Sequence, residues 1–368
     1  PLAKRKLQVE LKSVTDLSAI KAALANGGAD KAGADIAIVP LPEMVASYEA
    51  LRALKPHIFF VVGWSRGRDA VFAHKKTSLL KLKRRGSVSV AGTRGSASML
   101  LSLYLLDIAG VDSKRIEISG EAAKALMFSA VDRGQTTSVA ADSSIAVTSA
   151  DASALIPFVA IAPEGFLQNR RAIAAWIAAW LEGVEILKND VPAAARFVSG
   201  ISGAPSTLSL VRRLGLVEFS GLRDNVRRAG LAGRDPVTLS SLFHLYWRLW
   251  RGVDVLTTPA PKQVPLAFDA IAALVLKNPG SDTKDEGSGD FSTDPLVRGI
   301  AKDPAAAALL SGIFARSSVR VGVGGKKKSS SELVAELITR YGLNASRFQT
   351  QPSLAKNKQI VLEVYAAP

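Results

Sequence analysis

The stretch from Gly92 to Ser98, Gly-Thr-Arg-Gly-Ser-Ala-Ser, has the residue types best suited to holding a ligand in this 368-residue sequence. Gly92 and Gly95 permit tight backbone geometry. Thr93, Ser96 and Ser98 supply hydroxyl donors, and Arg94 supplies a full positive charge. If a helix begins just after this stretch, its first N–H groups and the positive end of its dipole join the set. Such a group of donors suits a carboxylate, sulfonate, sulfate or phosphate. The simpler alternative is that Ser96 only caps the helix, and the local pattern leaves both open.

Signatures of covalent chemistry are absent. His57, His74 and His244 lie far apart, without ligand spacing, and read as structural. There is no G-x-S-x-G elbow. The run Gly322 to Ser329 looks superficially like a phosphate loop, but Arg320 stands where the first glycine is required. The chain has no cysteine, which excludes disulfides, thiolate metal sites and thiol catalysis. The expectation is a protein that is not an enzyme, with no cofactor and no metal.

Around the Gly92–Ser98 stretch the pattern is α/β. Leu7 to Leu11 alternates as a strand, and Asp16 to Ala25 is helical, with Leu17, Ile20 and Leu24 on one face. Ala34 to Val39 reads as a buried strand, Pro42 opens a helix, and Ile58 to Val62 is a third strand. After the basic run Lys75 to Arg85, which reads as a solvated segment, the pattern restarts. It continues with a strand Ser87–Ala91, the turn, a helix Ala97–Ala109, a strand Arg115–Ser119, a helix Glu121–Asp132 and a strand Ser138–Asp142. Repeated β-α-β units imply parallel sheets. Ile156 to Ile161 reads as a strand leading out of the second unit. Asn169 to Gly252 reads mainly as helix. Trp176 and Trp180 there belong to a packed face, and Thr238 is a helix cap.

If two such lobes face each other, other positions come into view. Pro40 and Leu41 lie where a strand passes into a helix, the site-forming end of an open α/β sheet. Trp64, Ser65 and Arg66 follow the third strand, where Trp64 would form an apolar wall and Arg66 an anion contact. Asp142 ends a strand of the second lobe. The expected ligand-binding set is therefore Pro40, Leu41, Trp64, Ser65, Arg66, Gly92, Thr93, Arg94, Gly95, Ser96 and Asp142. Each position outside the turn also has a purely structural reading.

Length and composition agree with several soluble domains. Apolar residues make up 48% and charged residues 21%, enough to bury sizeable cores. Lys277 to Thr293 is rich in Gly, Ser, Asp and Pro and reads as a linker. The net charge is +15, and from Asp294 onward there are eleven Lys/Arg against five Asp/Glu. That basic tail suits an acidic partner. The basic runs lack the interleaved aromatics of nucleic-acid binding, so no nucleic-acid partner is expected.

The order of these segments resembles a known family. "LSAIKAALANGGADKAGADIAIVPLPEMV", "FFVVGWSRGRDAVFAHK", "GSVSVAGTRGSASMLLSLYLLDIAGVD" and "FVAIAPEGFLQNRRAIAAWIAAWLEGVEILKNDVPAAARFV" together are similar to the nitrate/sulfonate/taurine and thiamine-pyrimidine group of ABC solute-binding proteins. The resemblance covers about Leu7 to Val275. It implies a two-lobed, type II periplasmic-binding-protein-like α/β fold. Residues 1–70 and 160–276 would form the first lobe with its C-terminal helices, and residues 71–159 the second. It also implies a small anionic solute held between lobes and against Gly92–Ser98, an ABC permease as partner, and a periplasmic location. The family begins with a further strand, loop and helix ahead of the segment matching Leu7–Leu11, and this sequence does not contain them.

Beyond the linker, residues 294–368 resemble a degenerate OmpA-like domain through "SSVRVGVGG", "SSSELVAELITRYGLNASRF" and "NKQIVLEV". A helix Asp303–Phe314, a strand Val319–Val323, a helix Glu332–Tyr341 and a strand Gln359–Tyr365 are expected there. That family binds peptidoglycan through an Asp after the first of these strands and an Arg on the helix. Gly325-Lys326-Lys327-Lys328 stands where the Asp belongs. This part implies a cell-wall or outer-membrane partner and an envelope-anchored lipoprotein as a further option. Two other readings stay open. One is a ligand-free envelope scaffold. The other is an enzyme of the pyrimidine-synthesis branch of the same fold, disfavoured because no histidine or metal cluster occurs.

Overall fold

The computed structural model describes residues 5, 7–12, 17–27, 33–74, 82, 86–119, 127–133, 143–152, 154–190, 194, 196, 198, 213–231, 237–277, 317–321, 348–354 and 360–366. In chain order the elements begin α1 (Leu17–Ala25), β1 (Ala37–Pro40), α2 (Leu41–Ala46), α3 (Tyr48–Leu51), β2 (Pro56–Ser65), β3 (Asp69–His74), β4 (Val88–Ala91) and α4 (Ala97–Ile108). Next come β5 (Ile116–Ser119), β6 (Phe128–Asp132), β7 (Ser143–Thr148), β8 (Pro157–Pro163), α5 (Glu164–Leu167), α6 (Arg170–Asn189) and β9 (Val217–Phe219). The last are α7 (Leu222–Arg228), α8 (Leu239–Gly252), α9 (Asp269–Lys277), β10 (Ser317–Val321), β11 (Phe348–Leu354) and β12 (Ile360–Ala366). The result is a mixed α/β architecture. The chain divides into two compact units. One comprises Pro1–Ser65, Ile156–Phe243 and Thr258–Asp285, and the other comprises Arg66–Leu155, His244–Thr257 and Glu286–Pro368.

The first unit is built on a sheet of order β1-β8-β2-β9. Every pair in it is antiparallel, contrary to the parallel sheet expected from β-α-β order. The reason is topological. β1 and β2 do run parallel to each other, but β8 returns from the second unit between them and takes the hydrogen bonds of both. Ile58, Phe59, Phe60, Val61 and Val159 to Ala162 are fully buried. α6 packs on this core through Ile173, Ile177 and Val184, all buried. Trp176 meets Phe59 and Phe60 edge-on at 5.5 and 5.7 Å and stacks on Trp180 at 5.3 Å. The two tryptophans are packing residues, as their Ala, Ile and Leu neighbours suggested.

Two sequence expectations fail in this unit. Leu7–Leu11 forms neither strand nor helix and pairs with no strand among the described residues. Val217–Phe219, within the stretch read as mainly helical, is a short strand that pairs with Gly63–Ser65 of β2. A three-residue strand has too little periodicity to stand out, and only the free edge of β2 gives it a partner.

Thr238 caps α8, as its type suggested. Its Oγ1 accepts from the Ser241 N–H at 3.2 Å, and the Ser241 Oγ accepts from the Thr238 N–H at 2.9 Å. This reciprocal pair satisfies two donors at the helix start. Thr238→Ala is expected to cost about 1 kcal/mol in urea unfolding, whereas Thr238→Asn should stay close to wild type. Equal losses in both variants would show that the cap contributes nothing.

The second unit carries a sheet of order β5-β4-β6-β3-β7. β4 is parallel to both β5 and β6, as expected, whereas β3 is antiparallel to β6 and β7. α4 is buried along all its length except Asp107. The Tyr246 hydroxyl of α8 donates to the Leu155 carbonyl. Glu121–Asp132 was expected to be a helix, but Phe128–Asp132 is β6, and residues 121–126 lie outside the described residues. The place between β4 and β3 demands a strand there and outweighs the helical propensity of the neighbouring Ala and Leu residues. Ser138–Asp142 also lies outside the described residues, and the strand nearby is β7.

Beyond the linker stretch, most of which lies outside the described residues, β10, β12 and β11 form a three-stranded antiparallel sheet. β10 and β12 match the two strands expected there to within two residues. β11 was not anticipated, because Phe-Gln-Thr-Gln-Pro-Ser-Leu contains a proline. The expected helices Asp303–Phe314 and Glu332–Tyr341 lie outside the described residues.

Candidate anion site of the second unit

The Gly92–Ser98 turn leaves the C-terminal end of β4. The parallel register sets Ala91 beside Ser119 of β5 and Ser129 of β6, so β4 and β5 end together at the turn while β6 runs on past it to Asp132. Gly92 has φ 151°, and a Cβ there would lie 3.0 Å from the Ala130 Cβ, 3.1 Å from the Ala130 carbonyl oxygen and 3.1 Å from the Met99 methyl. Gly95 also has a positive φ, 86°. Both glycines are thus used for backbone geometry that other residues adopt poorly. Gly92→Ala is expected to destabilise the second unit by about 1–3 kcal/mol, read as an earlier thermal transition. No loss would mean that Met99 and β6 yield freely.

Ser96 is the cap of α4. Its Oγ accepts the Met99 N–H at 3.2 Å and lies 3.4 Å from the Ser98 Oγ. The Ser96 N–H donates to the Thr93 carbonyl at 3.1 Å, closing the turn. The bland role of Ser96 is therefore real, and its hydroxyl proton can still be donated. Ser98 is buried, whereas Thr93 and Arg94 are exposed. The Arg94 guanidinium donates to the Asp254 carbonyl at 3.2 Å. The first turn of α4 has no acidic residue. The dipole of a twelve-residue helix is thus not neutralised at this end by its own side chains.

Ser119 was not singled out in the sequence. It ends β5 in register with Ala91, and its buried Oγ has no hydrogen-bond partner among the described residues. The available signal was the parallel pair Val-Ser-Val-Ala and Ile-Glu-Ile-Ser, two short strands ending at one level.

Arg66 is exposed, on the bend just before β3. Asp69 of β3 opposes Asp132 at the far end of β6, so Arg66 enters the sheet at the end that also carries the turn. Pro40, Leu41, Trp64 and Ser65 belong to the first unit. Pro40 of β1 opposes Phe158 of β8, and Trp64 of β2 opposes Pro157, so both strands finish at one end of that sheet. Pro40 is the cap residue of α2 and Leu41 is fully buried. Trp64 is 7% exposed, with the Arg228 guanidinium 4.8 Å from its ring centroid. Ser65 is buried and its N–H donates to the Ile156 carbonyl at 2.9 Å. Asp142 lies outside the described residues.

Among the described residues no group of three or more His, Cys, Asp or Glu could hold a metal ion. No described helix is long and apolar enough to cross a membrane.

No protein-family model matches the sequence, and no curated protein matches it. Solved structures do. The chain is similar to a protein from Methylobacillus flagellatus KT named as the periplasmic sulfonate-binding protein SsuA. That match has 17% identity and a TM-score of 0.48, and covers 75% of this chain and 84% of the other. The periplasmic aliphatic sulphonate binding protein SsuA from Escherichia coli matches at 14% identity and a TM-score of 0.40, over 62% of this chain and 78% of the other. A Candida albicans gene product described as exhibiting the generic periplasmic binding protein structural fold matches at 14% identity and a TM-score of 0.42, over 75% of this chain and 88% of the other.

Proposed function

We propose that this protein is a solute-binding protein of an ABC importer, acting in the periplasm without covalent chemistry, and that it captures a small anion at the Gly92–Ser98 turn. The observation that carries this reading is local to the second unit. A buried helix of twelve residues starts where β4 and β5 end, with no acidic residue in its first turn and with Thr93 and Arg94 exposed. Oxygens of a sulfonate, sulfate, phosphate or carboxylate complement N–H and hydroxyl donors in this arrangement. Pro40, Leu41, Trp64, Ser65, Arg66 and Asp142 stay in the proposed set as residues that end or follow strands in the sequence pattern. Residues 294–368 are proposed as an OmpA-like domain that contacts an acidic envelope partner.

Isothermal titration calorimetry with taurine, alkanesulfonates, sulfate and phosphate tests the anion reading, supported by native mass spectrometry of the purified protein. Binding of at least one anion with heat that saturates is expected. No heat with any of them, in a folded protein, would favour the second reading, an envelope scaffold that keeps the fold without a solute. One observation points that way: Trp64 and Ser65, both proposed contacts, are buried within the first unit.

A further inference from the structure

The end of α8 brings an acidic residue beside the Gly92–Ser98 turn, where the first turn of α4 has none of its own. The Arg94 guanidinium donates to the Asp254 carbonyl at 3.2 Å, across 160 positions of sequence. Asp254 lies just past α8 and has a left-handed backbone, φ 57°. Its N–H donates to the Arg251 carbonyl at 3.3 Å, and the Val255 N–H donates to the Trp250 carbonyl at 2.9 Å. Trp250, Val253 and Leu256 are buried. A Cβ on Gly252 would lie 2.8 Å from the Ser113 Cβ, so α8 ends in close contact with the segment that follows α4. A non-glycine residue keeps a left-handed backbone only where its surroundings hold it. The Asp254 carbonyl is therefore a fixed acceptor, whereas the Arg94 side chain that reaches it is long and exposed.

Two acceptors compete for this one guanidinium. One is the Asp254 carbonyl. The other is an anion held at the turn, whose charged oxygens make the stronger hydrogen bonds. The exposed Asp254 carboxylate lies within a side-chain length of the same guanidinium and works against an incoming anion. We infer, resting on the anion reading of the Gly92–Ser98 turn, that Asp254 sets the affinity of that turn by holding Arg94 in the free protein and giving it up to the bound anion. Each binding event then costs the Arg94–Asp254 bond, which weakens capture and speeds release. It also takes away the outside partner of the left-handed turn, so the Asp254 and Val255 amides open more often when an anion is bound.

Asp254→Asn removes the charge but keeps the carbonyl and a residue that tolerates the left-handed backbone. Calorimetric titration with sulfate, phosphate, ethanesulfonate and taurine at low ionic strength should show binding about three- to tenfold tighter in this variant than in the wild type. Arg94→Met should weaken binding at least about tenfold, and Asp254→Asn added to it should gain no more than about twofold, because the group competed for is gone. Hydrogen exchange at the Asp254 and Val255 amides should rise at least about threefold when the wild type is saturated with the anion, and by a similar factor in Arg94→Met without anion. A full gain from Asp254→Asn in the Arg94→Met background would make Asp254 a plain repelling charge and overturn the competition. Anion binding that leaves the two amides unchanged, or that is no tighter in Asp254→Asn, would overturn it as well while the anion reading stands. No binding of any of the four anions would overturn both together, and faster exchange in Arg94→Met would then leave Arg94 as a support of the α8 end alone.

Discussion

Asn225→Leu is expected to destabilise the first unit by about 2–5 kcal/mol, because it leaves a strand backbone unpaired in the core. Asn225 is fully buried on α7. Its Oδ1 accepts the Val61 N–H at 2.6 Å, and its Nδ2 donates to the Val61 carbonyl at 3.0 Å. The same Nδ2 donates to the Gly221 carbonyl at 3.0 Å. Val61 lies next to a register shift of β2 against β8, just before the short pairing with β9 begins at Gly63. The side-chain amide therefore does for Val61 what a neighbouring strand would do, offering one acceptor and one donor at strand spacing. Leucine has a similar size and offers neither. Each buried group left without a partner costs about 1–3 kcal/mol, and two groups on Val61 lose theirs. Urea unfolding followed by tryptophan fluorescence reads the loss, with Trp64, Trp176 and Trp180 all in this unit. Asn225→Asp should be as harmful, since a carboxylate has no donor for the Val61 carbonyl. A loss below about 0.5 kcal/mol for Asn225→Leu would show that water replaces the amide.

The second large effect concerns the turn. Thr93→Ala combined with Ser96→Ala is expected to weaken binding of whichever anion binds the wild type by roughly two to four orders of magnitude. Hydrogen bonds to a charged group are each worth about 1.5–3 kcal/mol, and about 1.4 kcal/mol is tenfold in affinity. Ser96 complicates the variant, because its Oγ also caps α4. Alanine at a cap costs about 0.5–2 kcal/mol of stability, but glycine costs only a few tenths. Thr93→Val with Ser96→Gly therefore removes both hydroxyls with little change to the helix start. Calorimetric titration should show the same weakening in both double variants. Unchanged affinity in the valine–glycine variant would remove the two hydroxyls from the site, whatever the alanine variant does.

Much of the local structure was legible in the residues. The α4 start could be read because Gly-Thr-Arg-Gly-Ser followed by an apolar run is a turn, a cap and a helix, each with a short-range cause. The same holds for Thr238 as a cap and for Trp176 and Trp180 as packing residues. Where a strand or helix depends on contacts only a few residues away, type and spacing are enough.

What depended on distant contacts was not legible. Nothing within β8 says that it runs between β1 and β2, yet that insertion makes the first sheet antiparallel. Phe128–Asp132 is a strand because β4 and β3 flank it, and Val217–Phe219 because β2 has an edge to offer. Leu7–Leu11 has the alternation of a strand but no pairing partner among the described residues. Asn225 looks like an ordinary polar residue of a charged helix, and Ser119 like an ordinary strand end. Their importance lies in the backbone groups and strand ends that the fold brings beside them. Residue type and periodicity act over one or two turns of chain. Strand order, register and burial are set by neighbours tens or hundreds of residues away, so only the tertiary structure could decide them.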